Sequence, residues 1–289
     1  MIDIIGQSPK LQEVLRTADL VAGTNVPVLI TGDTGTGKDL FARRIHQQSS
    51  RKQRAFIKLN CASAVIKMQL FDPKKGALSQ ARSGTLFLDE ISDLPVALQS
   101  ELLQFMEDEK FDVRIIVATH KNLYKEVEAD NFRADLFYRL NVIPVELPPL
   151  KEREGDVALL MDYFLRSFVA EQHQAMPSFS KAALKKLIDY NWPGNIRQLH
   201  NFCERMFILF SGKEVQVTNL PHEFQSFRSS ESNLGSSFSL PSAGINLEQI
   251  EVDLIQQALQ NSNGNKSRAA RLLGLTRDTF LYRLKKYSL

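Results

Sequence analysis

A chain of 289 residues that is 43% apolar is long enough for about two domains with real hydrophobic cores. No apolar run approaches the ~18 residues that a membrane span needs, and the opening residues lack a signal-peptide pattern, so a cytoplasmic protein with no membrane role is expected. Two cysteines and five scattered histidines argue against a disulfide scaffold or a metal cage, and the net charge of +3 hides an uneven distribution.

Residues 1–147 alternate helical patterns with short β-branched runs at 26–31, 55–59, 84–88, 113–118 and 142–147, the signature of an α/β fold with a parallel sheet. Residues 148–225 show no convincing strand before Val215. They carry apolar residues at helical spacing, as in Val157, Leu160, Met161, Phe164, Leu165 and Phe168, which predicts a helical lid subdomain. Eight serines fall within 226–243, a stretch too poor in apolar residues to fold by itself, and a flexible linker is expected there. Residues 244–289 form a third, all-α domain. Its first helix places Leu247, Ile250, Leu254, Ile255, Ala258 and Leu259 on one wide apolar face, and shorter helices are expected over 266–273 and 277–287.

The first expected strand runs into Gly32-Asp33-Thr34-Gly35-Thr36-Gly37-Lys38, and a helix pattern follows. Glycines let the backbone curl so that N–H groups converge on phosphate oxygens, and the next helix points its positive end inward. Lys38 is placed to reach the β and γ phosphates of ATP. A Gly-four-Gly-Lys match alone is weak, but strand before and helix after are what the motif requires. The next residue is Asp39, where the general motif has Ser or Thr to hold Mg²⁺, so another acid must serve the metal. Gly84-Thr85-Leu86-Phe87-Leu88-Asp89-Glu90 supplies it: Asp89 at a strand tip to hold Mg²⁺, through water, and Glu90 to polarise an attacking water. A solvated Asp-Glu strand end is the other reading.

In the tail, seven cations (Lys266, Arg268, Arg271, Arg277, Arg283, Lys285, Lys286) stand against Asp278 alone, a net +6 beside −3 for the rest of the chain. Such asymmetry points to a polyanion. Ala269-Ala270 permit close helix approach, Gly274 ends the first helix and Thr276 caps the second, which reads as helix, tight turn, helix.

These residues together resemble the AAA+ domain of bacterial NtrC-type enhancer-binding proteins, the activators of sigma-54 RNA polymerase. The resemblance rests on Ile5-Gly6-Gln7-Ser8-Pro9, the P-loop, Leu59-Asn60-Cys61-Ala62, residues 84–90, Phe132-Arg133-Ala134-Asp135-Leu136, Tyr138-Arg139-Leu140-Asn141, residues 147–153 and Trp192-Pro193-Gly194-Asn195-Ile196-Arg197-Gln198. It implies an AAA+ P-loop NTPase with a helical lid and a Fis-type helix-turn-helix, and it accounts for Asp39, since members usually carry an acid there. It implies that Ile5 borders the nucleotide, that Asn60 is the switch residue holding Glu90, and that Arg133 and Arg139 reach a neighbouring subunit's γ-phosphate. Arg197 becomes the lid arginine, and Thr119 ends the sensor strand; His120 departs from the family's usual Thr-Asn. Surface salt bridges are the other reading of each arginine.

By the same resemblance Thr276, Arg277, Asp278, Thr279, Tyr282 and Arg283 lie near the major groove of double-stranded DNA, with Lys285 and Lys286 toward phosphates. The chain should pair with itself through its 247–259 helix, and it should assemble further, to a hexamer, on ATP.

Sigma-54 activators carry a GAFTGA loop. Here Leu70 to Ala81 leads through Arg82-Ser83 straight into the strand, about a dozen residues short, and Met106 to Phe111 passes to Asp112 about ten residues short. The first trimming is also seen in the aromatic-amino-acid regulator of enteric bacteria, similar here at Gly32–Ala42, Asn60-Cys61-Ala62-Ser63 and Lys74-Lys75-Gly76, which works with the housekeeping polymerase. The expectation is therefore a DNA-bound regulator of the housekeeping polymerase holoenzyme in which ATP controls assembly. Two alternatives stay open: an ATPase that remodels the sigma-54 closed complex, and a non-hydrolysing nucleotide-binding scaffold. No input domain precedes Ile5 in this sequence, so a partner protein or a separate N-terminal domain is expected to supply the signal.

Overall fold

The computed structural model describes residues 4–108, 112–225, 247–262 and 264–287. The chain divides into two compact units, Met1–Ser229 and Ser230–Leu289. The expected linker at 226–243 lies outside the described residues.

The first unit opens with α1 (Pro9–Ala22), β1 (Val28–Thr31), α2 (Lys38–Gln47) and β2 (Phe56–Asn60). Two short helices follow, α3 (Ile66–Phe71) and α4 (Ala77–Gln80), then β3 (Thr85–Asp89), α5 (Val96–Glu107), β4 (Arg114–Thr119), α6 (Leu123–Glu128), α7 (Ala134–Leu140) and β5 (Ile143–Glu146). The five strands make one sheet in the order β2-β3-β4-β1-β5, and every pairing is parallel.

A parallel sheet of this kind is covered on both faces, so its central strands read as unbroken apolar runs. All of β4 is buried, and so is β3 up to Asp89 at its tip. Alternate residues then serve opposite layers. Leu86, Leu88, Ile115 and Val117 pack with Leu70, Leu78, Leu102 and Leu136, while Phe87, Ile116 and Ala118 pack with Leu11, Leu15, Phe41 and Ile45.

The lid begins with α8 (Asp156–Gln172), followed by β6 (Ser178–Phe179), α9 (Lys181–Asp189), α10 (Asn195–Phe210), β7 (Glu214–Val215) and α11 (His222–Gln225). Its core centres on fully buried Trp192, whose indole N–H donates to Leu187 O at 2.9 Å. The lid is not purely helical. β6 pairs in parallel with β7, a two-residue ladder too short to leave a period in the sequence.

The second unit is α12 (Leu247–Asn261), α13 (Lys266–Leu272) and α14 (Arg277–Lys286). Ile255 and Ala258 of α12 pack with Ala269, Ala270, Phe280 and Leu284, whereas Leu254 stays 47% exposed. The side chains of Leu247 and Ile250, also expected on the apolar face, lie outside the described residues.

Cys61 and Cys203 are free and buried, and burial chiefly pushes both thiols up to about 12. They pack as small hydrophobes. Among the described residues no helix is long and apolar enough to cross a membrane, and no group of three or more candidate ligands could hold a metal ion.

Candidate nucleotide site and helix-turn-helix

The loop from β1 to α2 carries Lys38 as the first residue of the helix, where its ammonium donates to Gly32 O at 2.8 Å and Asp33 O at 3.3 Å. Burial draws the Lys38 pKa below the usual lysine value, opposed by Glu90 and Asp89. Thr36 closes the turn on Asp33 O at 2.8 Å. Gly35 is required by close approach as well as by its φ of +82°: a Cβ there would lie 2.3 Å from Gly194 O.

That contact is the seam between loop and lid. Ile196 N donates to Gly35 O at 3.0 Å, and the buried Asn195 side chain donates to Thr34 O at 3.0 Å while accepting from Leu150 N at 2.7 Å. Asn195 does this from a φ of +52°, a conformation that Asn tolerates better than most residues. On the same side, Arg153 and Asp156 form a buried ion pair at 2.8 Å. Asp156 also accepts from Gln7 N, Ser8 N and the Ser8 hydroxyl, and Arg153 donates to Ile5 O. The lead-in thus lies between lid residues and α1, and a Cβ on Gly6 would strike Asp156 Oδ2 and Leu11 at 2.4 Å. Behind the seam lies a cavity of about 600 Å³, bordered by Ile5, Gly37, Phe164, Ile196, Arg197 and His200.

Beside Lys38 and Lys58 stand three carboxylates. Asp89 closes β3, and Glu90 follows with a φ of +53°. Glu90 lies 3.9 Å from the Lys38 ammonium, and its other oxygen is 2.7 Å from His120 Nδ1 and 3.3 Å from the His120 N–H. Asp39 sits 3.1 Å and Asp89 3.4 Å from the Lys58 ammonium.

Among the expected site residues, P-loop 32–39, Asp89 and Glu90 come together, and Ile5 and Arg197 line the cavity. Asn60 does not meet Glu90: its side-chain oxygen accepts from Ala62 N at 2.9 Å, a local turn within the β2 exit. Thr119 faces inward, donating to Ser92 Oγ at 2.9 Å and accepting from Lys121 N, so it braces the turn after Glu90. Arg133 forks onto Asp135 and Arg139 donates to Met106 O; both are exposed. Lys58 and Asn195 were not singled out from the sequence. Lys58 reads as an ordinary outward residue on a strand, and Asn195 sits unmarked within the block around Arg197.

In the second unit Asn265 caps α13, Gly274 turns the chain at φ +65°, and Thr276 caps α14 by accepting from Thr279 N. Arg277, Asp278, Thr279, Tyr282 and Lys285 are exposed. Arg283 and Lys286 are engaged instead with acids of α12: Arg283 contacts Glu251, Lys286 lies 3.4 Å from Glu248, and the Tyr287 hydroxyl donates to Glu251 at 2.9 Å.

Comparison with known proteins follows this division. The sigma-54 interaction domain matches residues 4–146, the AAA+ ATPase lid domain 151–237, and the bacterial regulatory protein, Fis family, 246–287. The transcriptional regulatory protein ZraR of Escherichia coli (strain K12) is 38% identical over 308 residues, covering 98% of this chain and 68% of ZraR. The chain belongs to the NtrC-type enhancer-binding proteins. In this sigma-54-dependent activator family an ATPase domain is joined to a DNA-binding helix-turn-helix. The regulatory protein AtoC of the same strain is 35% identical, covering 99% of this chain and 68% of AtoC. A crystal structure of NtrX from Brucella abortus in complex with ADP superposes with a TM-score of 0.73 at 31% identity, covering all of this chain and 70% of NtrX. A second NtrX structure is in complex with ATP.

The aligned length with ZraR exceeds the 289 residues here, so the relative carries residues that this chain lacks. In the region expected to be trimmed, α3 and α4 are joined by a tight turn: Asp72 accepts from the N–H groups of Lys74 and Lys75, and Gly76 N donates to Asp72 O. Ala77, Leu78 and Ala81 are then buried in the core. Gly76 to Ala81 therefore forms packed helix and not a protruding loop.

Proposed function

We propose that this chain is a DNA-bound ATPase that activates sigma-54 polymerase. The observation that carries the reading is Glu90, 3.9 Å from the Lys38 ammonium and next in the chain to Asp89, beside a P-loop whose Gly35, Thr36 and Gly37 also border the cavity toward the lid. Membership in the sigma-54 activator family moves the reading away from the housekeeping polymerase and toward sigma-54.

Lys38 would exchange its two carbonyl partners for phosphate oxygens. Glu90 would accept hydrogen bonding from the attacking water once released from His120, and Arg197 would meet phosphate from the lid side. Arg133 and Arg139, exposed on α7 and its cap, would complete a neighbour's site in an oligomer. Mg²⁺ fits the residues present: one oxygen of Asp39 is buried with no hydrogen-bond donor, and Asp89 lies across the same lysine. Those two carboxylates would hold the ion, which supplies charge neutralisation of the phosphates. The helix-turn-helix would present Arg277, Thr279 and Tyr282 to the major groove with Lys285 toward phosphates, as a dimer with half-sites about 34 Å apart or a multiple of it. Such a regulator acts in the cytoplasm.

The tight α3–α4 turn favours a second reading, action on the housekeeping holoenzyme, because no extended tip stands there to push a sigma factor. Transcription reconstituted with each holoenzyme separates the two: stimulation confined to sigma-54 supports the first, and stimulation confined to the housekeeping form overturns it. ATP turnover tests hydrolysis in parallel. Glu90→Gln should keep nucleotide affinity and lower turnover by roughly 10²–10⁴-fold, and a wild-type rate equal to that of the variant would make the chain a non-hydrolysing scaffold.

A further inference from the structure

Lys58 has no assigned part in nucleotide chemistry, yet its ammonium stands against two acids of the site. It lies on β2, two residues before Asn60, in register with Phe87 of β3. Its stem crosses the ring of Phe87, with the ammonium 5.7 Å from the ring centroid, and its head reaches between Asp39 of α2 and Asp89 of β3. The contact with Asp39 Oδ1 is short enough for an ion pair but off the angle of a hydrogen bond, so that buried oxygen has a positive charge beside it and no donor aimed at it. A carboxylate oxygen left in that condition suits a spherical charge better than a directional donor. With Glu90 nearby, the cluster holds three acids against Lys38 and Lys58.

We propose that Lys58 is the resident counter-ion of the metal-binding carboxylates, and that it sets how strongly nucleotide binding depends on a divalent cation. The inference rests on the nucleotide-site reading above. An ammonium between Asp39 and Asp89 screens a polyphosphate from both acids, so nucleotide binds with or without metal. Without that ammonium the acids repel metal-free nucleotide, while the metal complex, which brings its own positive charge, fills the gap. Lys58 therefore acts on the difference between metal-free and metal-bound nucleotide.

The test is ADP affinity of the full chain, measured calorimetrically in excess Mg²⁺ and again in excess EDTA. In Lys58→Met, which keeps the apolar stem over Phe87, the ratio of the two dissociation constants should widen by roughly tenfold, mostly through weaker binding in EDTA. Lys58→Arg should restore the wild-type ratio. Equal loss under both conditions, or an unchanged ratio in Lys58→Met, overturns the proposal and leaves Lys58 a packing residue. If Lys58→Met does not fold, the arginine variant decides alone: a ratio shifted as far as tenfold despite retained charge overturns it, and a wild-type ratio supports it. Failure of the underlying reading looks different, since wild type would then bind no ADP in either buffer and Lys38→Ala would change nothing.

Discussion

The loop–lid seam and the carboxylate cluster beside Lys38 are built by different means. At the loop–lid seam the contacts are backbone or deeply buried: Gly35 O and Thr34 O accept from the start of α10, and Arg153–Asp156 is almost wholly excluded from solvent. At the carboxylate end the pairs run between side chains, most of them partly exposed: Lys38, Lys58 and His120 against Asp39, Asp89 and Glu90. The difference teaches where each end spends its free energy. Buried partners are costly to separate, because the survivor keeps its desolvation penalty. Half-exposed ion pairs are worth little net and exchange readily for a ligand. The seam is architecture, and the cluster is a charge balance open to revision.

The largest expected effect lies at the seam. Asp156→Ala leaves Arg153 buried without its partner and strips Gln7 and Ser8 of their acceptor, so unfolding of the first unit should be eased by about 3–5 kcal/mol; a chemical denaturation curve within ~1 kcal/mol of wild type would dissolve the contrast. Asn195→Ala removes one buried and one partly buried hydrogen bond and places alanine at a φ of +52°. A loss of about 2 kcal/mol is expected from the stranded Leu150 N–H and Thr34 carbonyl, read by the same denaturation, together with weaker nucleotide binding as the lid loses its hold on the loop. At the carboxylate end the effects should be smaller and kinetic. His120→Ala frees Glu90 from its acceptor role and should raise basal ATP turnover about two- to fivefold with unchanged stability, the scale of one half-exposed pair. A fall to background would instead place His120 among the groups that hold Glu90 in working order.

Much of this was legible in the chain itself. Each of the five sheet strands lies within two residues of a run of apolar or β-branched side chains; burial on both faces leaves little room for polar residues in the central β3 and β4, whereas β2 keeps exposed positions such as Lys58. Lys38, Asp89 and Glu90 were legible because phosphate chemistry demands fixed spacings next to a strand and a helix. The β6–β7 pair left no trace, since two residues have no period. Asn60 shows the limit at a site: a residue type and position do not say whether its amide turns toward Glu90 or toward Ala62 N, and here the local turn wins.

Local periodicity, glycine at the loop and the caps of α13 and α14 determined the P-loop sheet, the lid helices and the helix-turn-helix, for they depend on neighbours a few positions away. Tertiary structure alone decided which charges face each other: Lys58 with Asp39 and Asp89, His120 with Glu90, Asn195 with Thr34, and the α12 acids with Arg283 and Lys286. Partners of that kind are 19 to 161 residues apart in sequence, and a side chain with several rotatable bonds takes the partner that packing leaves within reach.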